Sequence, residues 1–261
     1  MRLSTVVFAI WAAAANAVPT FPILNLKDNP MSALTSLSDY FNLVASKVQA
    51  AKFLSSAPAC HLSKAHMPIG LDGLPAPDEG TTVRHVALGR GTQHYTCDPD
   101  NGKATPKAAG AVATLFNATC MAALYPDILS HIPAMAVHFN LHDTEEKLGP
   151  VILPRSGLHY FTDSSTPHFD LDTPREAIGQ VACAKNSSSN APATAAVGQV
   201  GEKAVSWLRL TTKSGTTGDI KHVYRVDTAG GSPPATCKDM PSNFQVEYAA
   251  VYWFWQGSSE A

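Results

Sequence analysis

The sequence predicts a mainly β protein, an antiparallel β-sandwich or partly closed barrel with an N-terminal helix. Three observations predict it. From about residue 82 onward, short runs rich in Val, Thr, Tyr, Phe and Trp are divided by Gly, Pro, Ser and Asn, the texture of strands joined by turns. Ahead of them, residues 31–54 place Leu34, Leu37, Phe41, Val44, Val48 and Ala51 at spacings of three and four, which is one face of a helix. After that helix only short helical pieces such as "MAALYPDIL" interrupt the β pattern.

The first element is not part of the fold. Arg2 precedes an apolar run from Leu3 to Ala15, which ends in the small-x-small triplet Ala15-Asn16-Ala17. This reads as a secretory signal peptide over residues 1–17 with a mature start at Val18. The run is too short to span a membrane, which takes about 20 apolar residues, and no membrane span is expected elsewhere. Residues 18–80 form a Pro-rich segment containing the amphipathic helix, and residues 81–257 form the β-rich domain.

Within that domain, "VRHVAL" and "TQHYTC" read as strands on either side of Gly89-Arg90-Gly91. "GAVATLFNAT" and "GLHYFTD" read as two more, and "AVSWLRLTTK" and "DIKHVYRVDT" as a hairpin around "SGTTG". In "NFQVEYAAVYWFW", Phe244, Val246, Tyr248, Ala250, Tyr252 and Phe254 share one face, while Val251, Trp253 and Trp255 finish the other. The end of this strand should therefore be covered on both sides. The stretch "GRGTQHYTC" is no dinucleotide loop. It lacks the third glycine of G-x-G-x-x-G, and the residues after Gly91 read as extended rather than helical. Its two glycines predict a bulge or kink with positive φ inside a long strand.

Charge and cysteines bound the function. Net charge is −2 and charged residues make up 15% of the chain, against about 25% in an average protein. There is no basic stripe, so nucleic acid is not an expected partner. Low charge and an export signal point to a secreted protein, extracellular or of the cell wall. Five cysteines, Cys60, Cys97, Cys120, Cys183 and Cys237, suit an oxidising compartment, and the odd number leaves at least one unpaired within the chain. Their spacing matches no zinc pattern. Asn117 and Asn186 head acceptor triplets for N-glycosylation. The second lies in "KNSSSNAPATAA", which reads as a polar loop.

Few residues suggest chemistry. His138 and His142 are four apart, with Asp143 and Glu145 nearby. No His-Glu-x-x-His motif is present, so neither a metal nor a cofactor is expected. No Gly-x-Ser-x-Gly elbow is present either. Arg225 in "YRVD" is expected to pair with a strand neighbour. The densest stretch is "HYFTDSSTPHFDLD", which reads as loop-rich and gathers aromatic rings, two histidines and several acids. His159, Tyr160, Asp163 and Asp170 are its candidate ligand-binding residues. Rings could stack on a sugar face while carboxylates accept its hydroxyls, and a pair of carboxylates is also what glycoside hydrolysis uses.

The motifs "GRGTQHYTC", "VSWLRL", "YRVDTAGGSPPATC" and "VEYAAVYWF", with "HYFTD" and "PHFDL", occur over residues 89–254. Together they resemble the secreted fungal and bacterial family catalogued as domain of unknown function 3455. The resemblance implies a secreted β-rich domain with no established activity. Bacterial members keep chiefly the cysteines that correspond to Cys97 and Cys237, which implies a Cys97–Cys237 disulfide. Cys60, Cys120 and Cys183 then supply at most one more bond, with no basis in the sequence for choosing it. Some fungal members are labelled malate dehydrogenase, a label this sequence does not support. The expected function is a secreted glycoprotein that binds at the cell surface or outside it, with cell-wall polysaccharide as the partner class. The alternative is a secreted carbohydrate-active hydrolase using the acids of segment 159–172.

Overall fold

The structure is a computed structural model and describes residues 30–51, 60–68, 73–141, 147–148 and 153–257. The signal-peptide segment 1–17 and the residues His142, Asp143 and Glu145 lie outside the described residues. Helix α1 (Pro30–Ala51) precedes the barrel, and α2 (Thr119–Leu124) and α3 (Pro126–Ala136) are inserted in it. The strands are β1 (Thr81–Thr96), β2 (Lys107–Asn117), β3 (Lys147–Leu148), β4 (Leu153–Asp163), β5 (Thr166–Asp172), β6 (Ala177–Ser189), β7 (Trp207–Thr212), β8 (Ile220–Gly230) and β9 (Asn243–Gly257).

Neighbouring strands run in the order β2-β1-β9-β8-β7-β6-β5-β4-β3, and β2 also pairs with β4. That last pairing, Ala113 opposite His159 through Phe116 opposite Arg155, joins the two ends. The sheet is therefore a closed eight-stranded antiparallel barrel rather than a sandwich, with β3 attached to the start of β4. Of the two expected architectures the barrel is the one found, and it is fully closed; the sequence left both open because strand pattern alone does not say whether the first and last strands of a sheet meet.

Closure gives each strand an inner and an outer face. Ala87, Leu115, Phe169, Val181, Val223 and Tyr252 are among the residues that fill the lumen. Outside, Leu88, Phe116, Tyr224, Val251 and Trp253 form a second core with the helices. The end of β9 is covered on both faces, as its composition predicts: Tyr248, Ala250, Tyr252 and Phe254 point inward, and Ala249, Val251 and Trp253 lie under the helical layer.

Helix α1 rests on α3. Ala33 and Tyr40 are buried there, Leu37, Leu43 and Val44 are partly buried, and Lys47 pairs with Asp127. Leu34, Phe41 and Val48 of the predicted stripe are exposed. The packed face is rotated from that stripe because the tyrosine at position 40, not the phenylalanine at 41, supplies the buried ring.

The two glycines of "GRGTQHYTC" do not make a positive-φ bulge. β1 runs unbroken through Gly89 and Gly91, and neither has a positive φ. The register shifts lie instead at Val83/His85 against β9 and at His94/Tyr95 against β2. The glycines are needed for close approach. A Cβ on Gly89 would stand 2.5 Å from the Tyr252 ring, and one on Gly91 would stand 1.9 Å from the Val112 carbonyl oxygen.

"HYFTDSSTPHFDLD" is not loop-rich: it is the β4–β5 hairpin, with Asp163 opposite Thr166 at its tip. "KNSSS" likewise belongs to β6.

Two disulfides fasten the barrel. Cys97–Cys237 ties the end of β1 to the segment before β9, and Cys60–Cys120 ties the segment ahead of the barrel to α2. Cys183 is free and buried in the lumen.

Gly91→Ala is expected to lower stability by about 3 kcal/mol, the upper end for overpacking, because the clash is with backbone that cannot swing aside. Denaturant unfolding of the purified variant measures it, and a loss below about 1 kcal/mol would contradict this role for the glycine.

Candidate functional site

A set of polar groups gathers at one end of the lumen. There a cavity of about 500 Å³ is lined by residues from all eight barrel strands. Its exposed rim carries Ala108, Ser164, Ser165, Lys185 and Ser188. Deeper in, apolar side chains such as Phe161, Phe169, Leu208 and Leu210 surround a small set of polar ones.

His159 is one of these. It stands on β4 facing inward and is only 3% exposed. Its ring stacks on Phe169, with centroids 4.3 Å apart and planes 11° from parallel. Nδ1 donates to the His168 carbonyl oxygen at 2.9 Å, which leaves Nε2 as the acceptor of the neutral ring. Burial pushes its pKa down to about 4, so the ring is neutral at ordinary pH.

The other polar groups form a linked set. Arg225 on β8 is 8% exposed and Gln93 on β1 is 9% exposed. Arg225 Nη1 donates to Gln93 Oε1 at 3.4 Å, and Nη2 donates to the Ser206 carbonyl at 2.9 Å. Arg225 also lies within hydrogen-bonding reach of the Tyr252 hydroxyl. That hydroxyl shares a hydrogen bond of 2.8 Å with the hydroxyl of Tyr248. Burial raises both tyrosine pKa values, so both stay protonated. Tyr95 donates to the Gly231 carbonyl at 2.7 Å beside the cavity. Arg225 thus pairs with a strand neighbour and also lines the cavity. The signal for it in the sequence is parity: it stands two residues after the inward Val223, a position where an apolar side chain is the norm.

The remaining sequence-predicted residues lie elsewhere. Tyr160 alternates with His159 and sits on the outer wall, its ring 5.0 Å from that of His168. Asp170 lies on the same outer wall, where it accepts from Gln180, as Asp172 does. Gln180 in turn bonds His168 Nε2 at 2.9 Å. Asp163 is exposed in the hairpin turn, and two hydrogen bonds from Ser165 hold its carboxyl down to about 2. The candidate set therefore divides: His159 faces the lumen, and the other three do not.

His138 is buried, with Nε2 at 3.4 Å from Ser32 Oγ on α1. Among the described residues, no group of three or more His, Cys, Asp and Glu is arranged to hold a metal ion. Of the two acceptor triplets, Asn117 accepts the Thr119 amide and Thr119 is buried, whereas Asn186 is exposed on β6 and accepts from Arg209.

Residues 77–256 match the model of the family described as protein of unknown function (DUF3455). The chain belongs to this family. The matched span takes in the closed barrel and the cavity residues, while α1 falls outside it. No curated protein and no solved structure matches the chain.

The buried histidines make stability pH-dependent. His159 is depressed to about 4 by burial, and His85 to about 3 by burial and then by Arg84. Between those values and about 6.5 the unfolded chain binds protons that the folded one does not. Their contribution is therefore complete above about pH 6.5 and is lost as pH falls towards 4 and 3. The slope should be roughly 1 kcal/mol per pH unit for each histidine. His159→Gln is expected to flatten this acid limb, as measured by denaturant unfolding at pH 4.5, 5.5 and 7. An unchanged slope would contradict the assignment.

Proposed function

We propose that the chain is a secreted binding protein whose barrel holds a small molecule. The observation that supports this best is the cavity, which is concave, lined mainly by rings and aliphatic side chains, and supplied with a few convergent polar groups. Its volume of about 500 Å³ falls within the range of about 300–1,000 Å³ typical of small-molecule sites. An eight-stranded barrel is also of the size that accommodates one small ligand. Support for secretion comes from the N-terminal sequence pattern and from the two disulfides, which suit an oxidising compartment. No described helix is long and apolar enough to cross a membrane.

The test uses N-phenyl-1-naphthylamine, an uncharged dye whose emission rises in apolar surroundings. Titration is expected to show saturable binding to one site. Ala108→Trp, at the exposed rim, is expected to weaken it about tenfold while leaving the melting temperature close to the parent's. If the parent shows no saturable binding, or the rim variant binds as the parent does, the cavity is not the binding site.

A second reading, binding of cell-wall polysaccharide, has its own observation. Tyr160, His168, Gln180 and Asp170 lie together on the outer wall, a ring beside hydrogen-bonding groups. Under it, the protein is retained on insoluble chitin, glucan or cellulose, and Asp170→Asn reduces retention without changing dye binding. A reducing-sugar assay run alongside tests the hydrolase alternative. No retention and no sugar release would remove both carbohydrate roles.

A further inference from the structure

We infer that the lumen of the barrel is built for an organic monoanion, a carboxylate on an apolar or aromatic body, with the carboxylate seated against Arg225. This rests on the small-molecule reading of the cavity and goes beyond it by naming the ligand's charge.

The first observation is a contrast among buried arginines. Arg90, under the helical layer, is neutralised by Glu247, and Arg209, on the outer wall, by Asp78 at 2.6 Å. In both pairs the guanidinium is almost wholly buried and a carboxylate reaches it. Arg225 is buried to the same degree. Its hydrogen-bond partners are the amide oxygen of Gln93 and the main-chain carbonyl of Ser206, both neutral. Its Nε, like that of Arg90, makes no hydrogen bond to the protein. Among the described residues, no Asp or Glu lines the cavity, while Lys185 at the rim adds a second positive charge. A cation kept from water without a counter-ion is costly. Of these three arginines, the one without a carboxylate is the one that faces a ligand-sized space.

The second observation is that the charge of Arg225 acts on the titratable groups nearest the cavity. It disfavours the charged form of His159 and favours ionisation of Tyr95, Tyr248 and Tyr252, in each case against or beside a larger effect of burial. An uncancelled positive potential in a low-dielectric pocket selects an anion. A guanidinium also offers a planar fork that matches a carboxylate.

The third observation is the rest of the lining. Phe161, Phe169, Leu208, Leu210 and Val205 supply apolar and ring surface, and neutral His159 supplies one acceptor nitrogen. That composition suits an apolar body bearing one acidic group, with a hydroxyl or N–H able to reach His159 Nε2. A single arginine with one rim lysine, and no described helix N-terminus among the lining residues, favours a monoanion over a polyphosphate.

Calorimetric titration of 2-naphthoate and of its neutral isostere 2-naphthamide into the full mature chain tests this. The parent is expected to bind naphthoate at least about tenfold more tightly than naphthamide. Arg225→Met is expected to abolish that preference while still binding naphthamide, and Arg225→Lys to restore part of it. Equal binding of the two compounds by the parent overturns the anion inference and leaves the small-molecule reading standing. Binding of neither compound, together with no binding of the uncharged dye, overturns both. The comparison of two ligands on the parent alone keeps the inference falsifiable if the arginine variants fail to fold.

Discussion

The main-chain pairing of residues 113–116 on β2 with residues 155–159 on β4 removes the last free edge of the sheet. Without it, β2 and β4 would be open edges inviting further pairing, and the strands would have no enclosed face. With it, every second residue of eight strands is committed to one lumen, and the alternating ones to the outer wall. The close approach at Gly89 and Gly91 is a consequence of this commitment. The Tyr252 ring must lie inside the barrel against β1, and β1 must lie tightly against β2, so neither position has room for a Cβ. The two cores are separate for the same reason, one inside the barrel and one between its wall and the helices.

The outer layer is attached by polar as well as apolar contacts. Val137 and Phe139, just beyond α3, present carbonyls that have no partner within the helix. Gln199 donates to the first and Arg90 to the second, each at 2.8 Å, and both side chains also bond Glu247. A cation at this end of a helix is favourable, so the buried Arg90, paired with the half-buried Glu247, fixes α3 on the wall. Arg209 has a related role on the same outer face: it joins Asp78, Tyr224 and Asn186, holding the segment ahead of β1 against β7 and β8. Arg225 stands apart from both, inside the lumen and among neutral partners.

Several polar groups thus face the cavity at one end of the barrel. His159 is held as a neutral acceptor by burial and by its bond to the His168 carbonyl. The lumen thiol Cys183 is pushed up to about 12 by burial, so it is not a thiolate at neutral pH. The lumen tyrosines are held protonated.

The sequence by itself determined most of the strands, a helix over residues 31–54 that the structure bounds at Pro30–Ala51, and the covering of β9 on both faces, because each depends on local composition and period. Through family resemblance it also carried the Cys97–Cys237 pair. It placed His159 in the candidate site, yet joined it to Tyr160 and Asp170, since proximity along a chain says nothing about which side of a wall each residue faces. Once "HYFTDSSTPHFDLD" is a hairpin rather than a loop, period two puts His159 and Phe169 inside and Tyr160 and Asp170 outside. Arg225 read as one more strand residue with a neighbour to pair, because its meaning depends on Gln93, Tyr252 and Phe169, which are brought to it from other strands. Only the tertiary structure decided that these groups meet around a cavity, because the β2–β4 pairing that encloses them joins segments whose register no local pattern specifies.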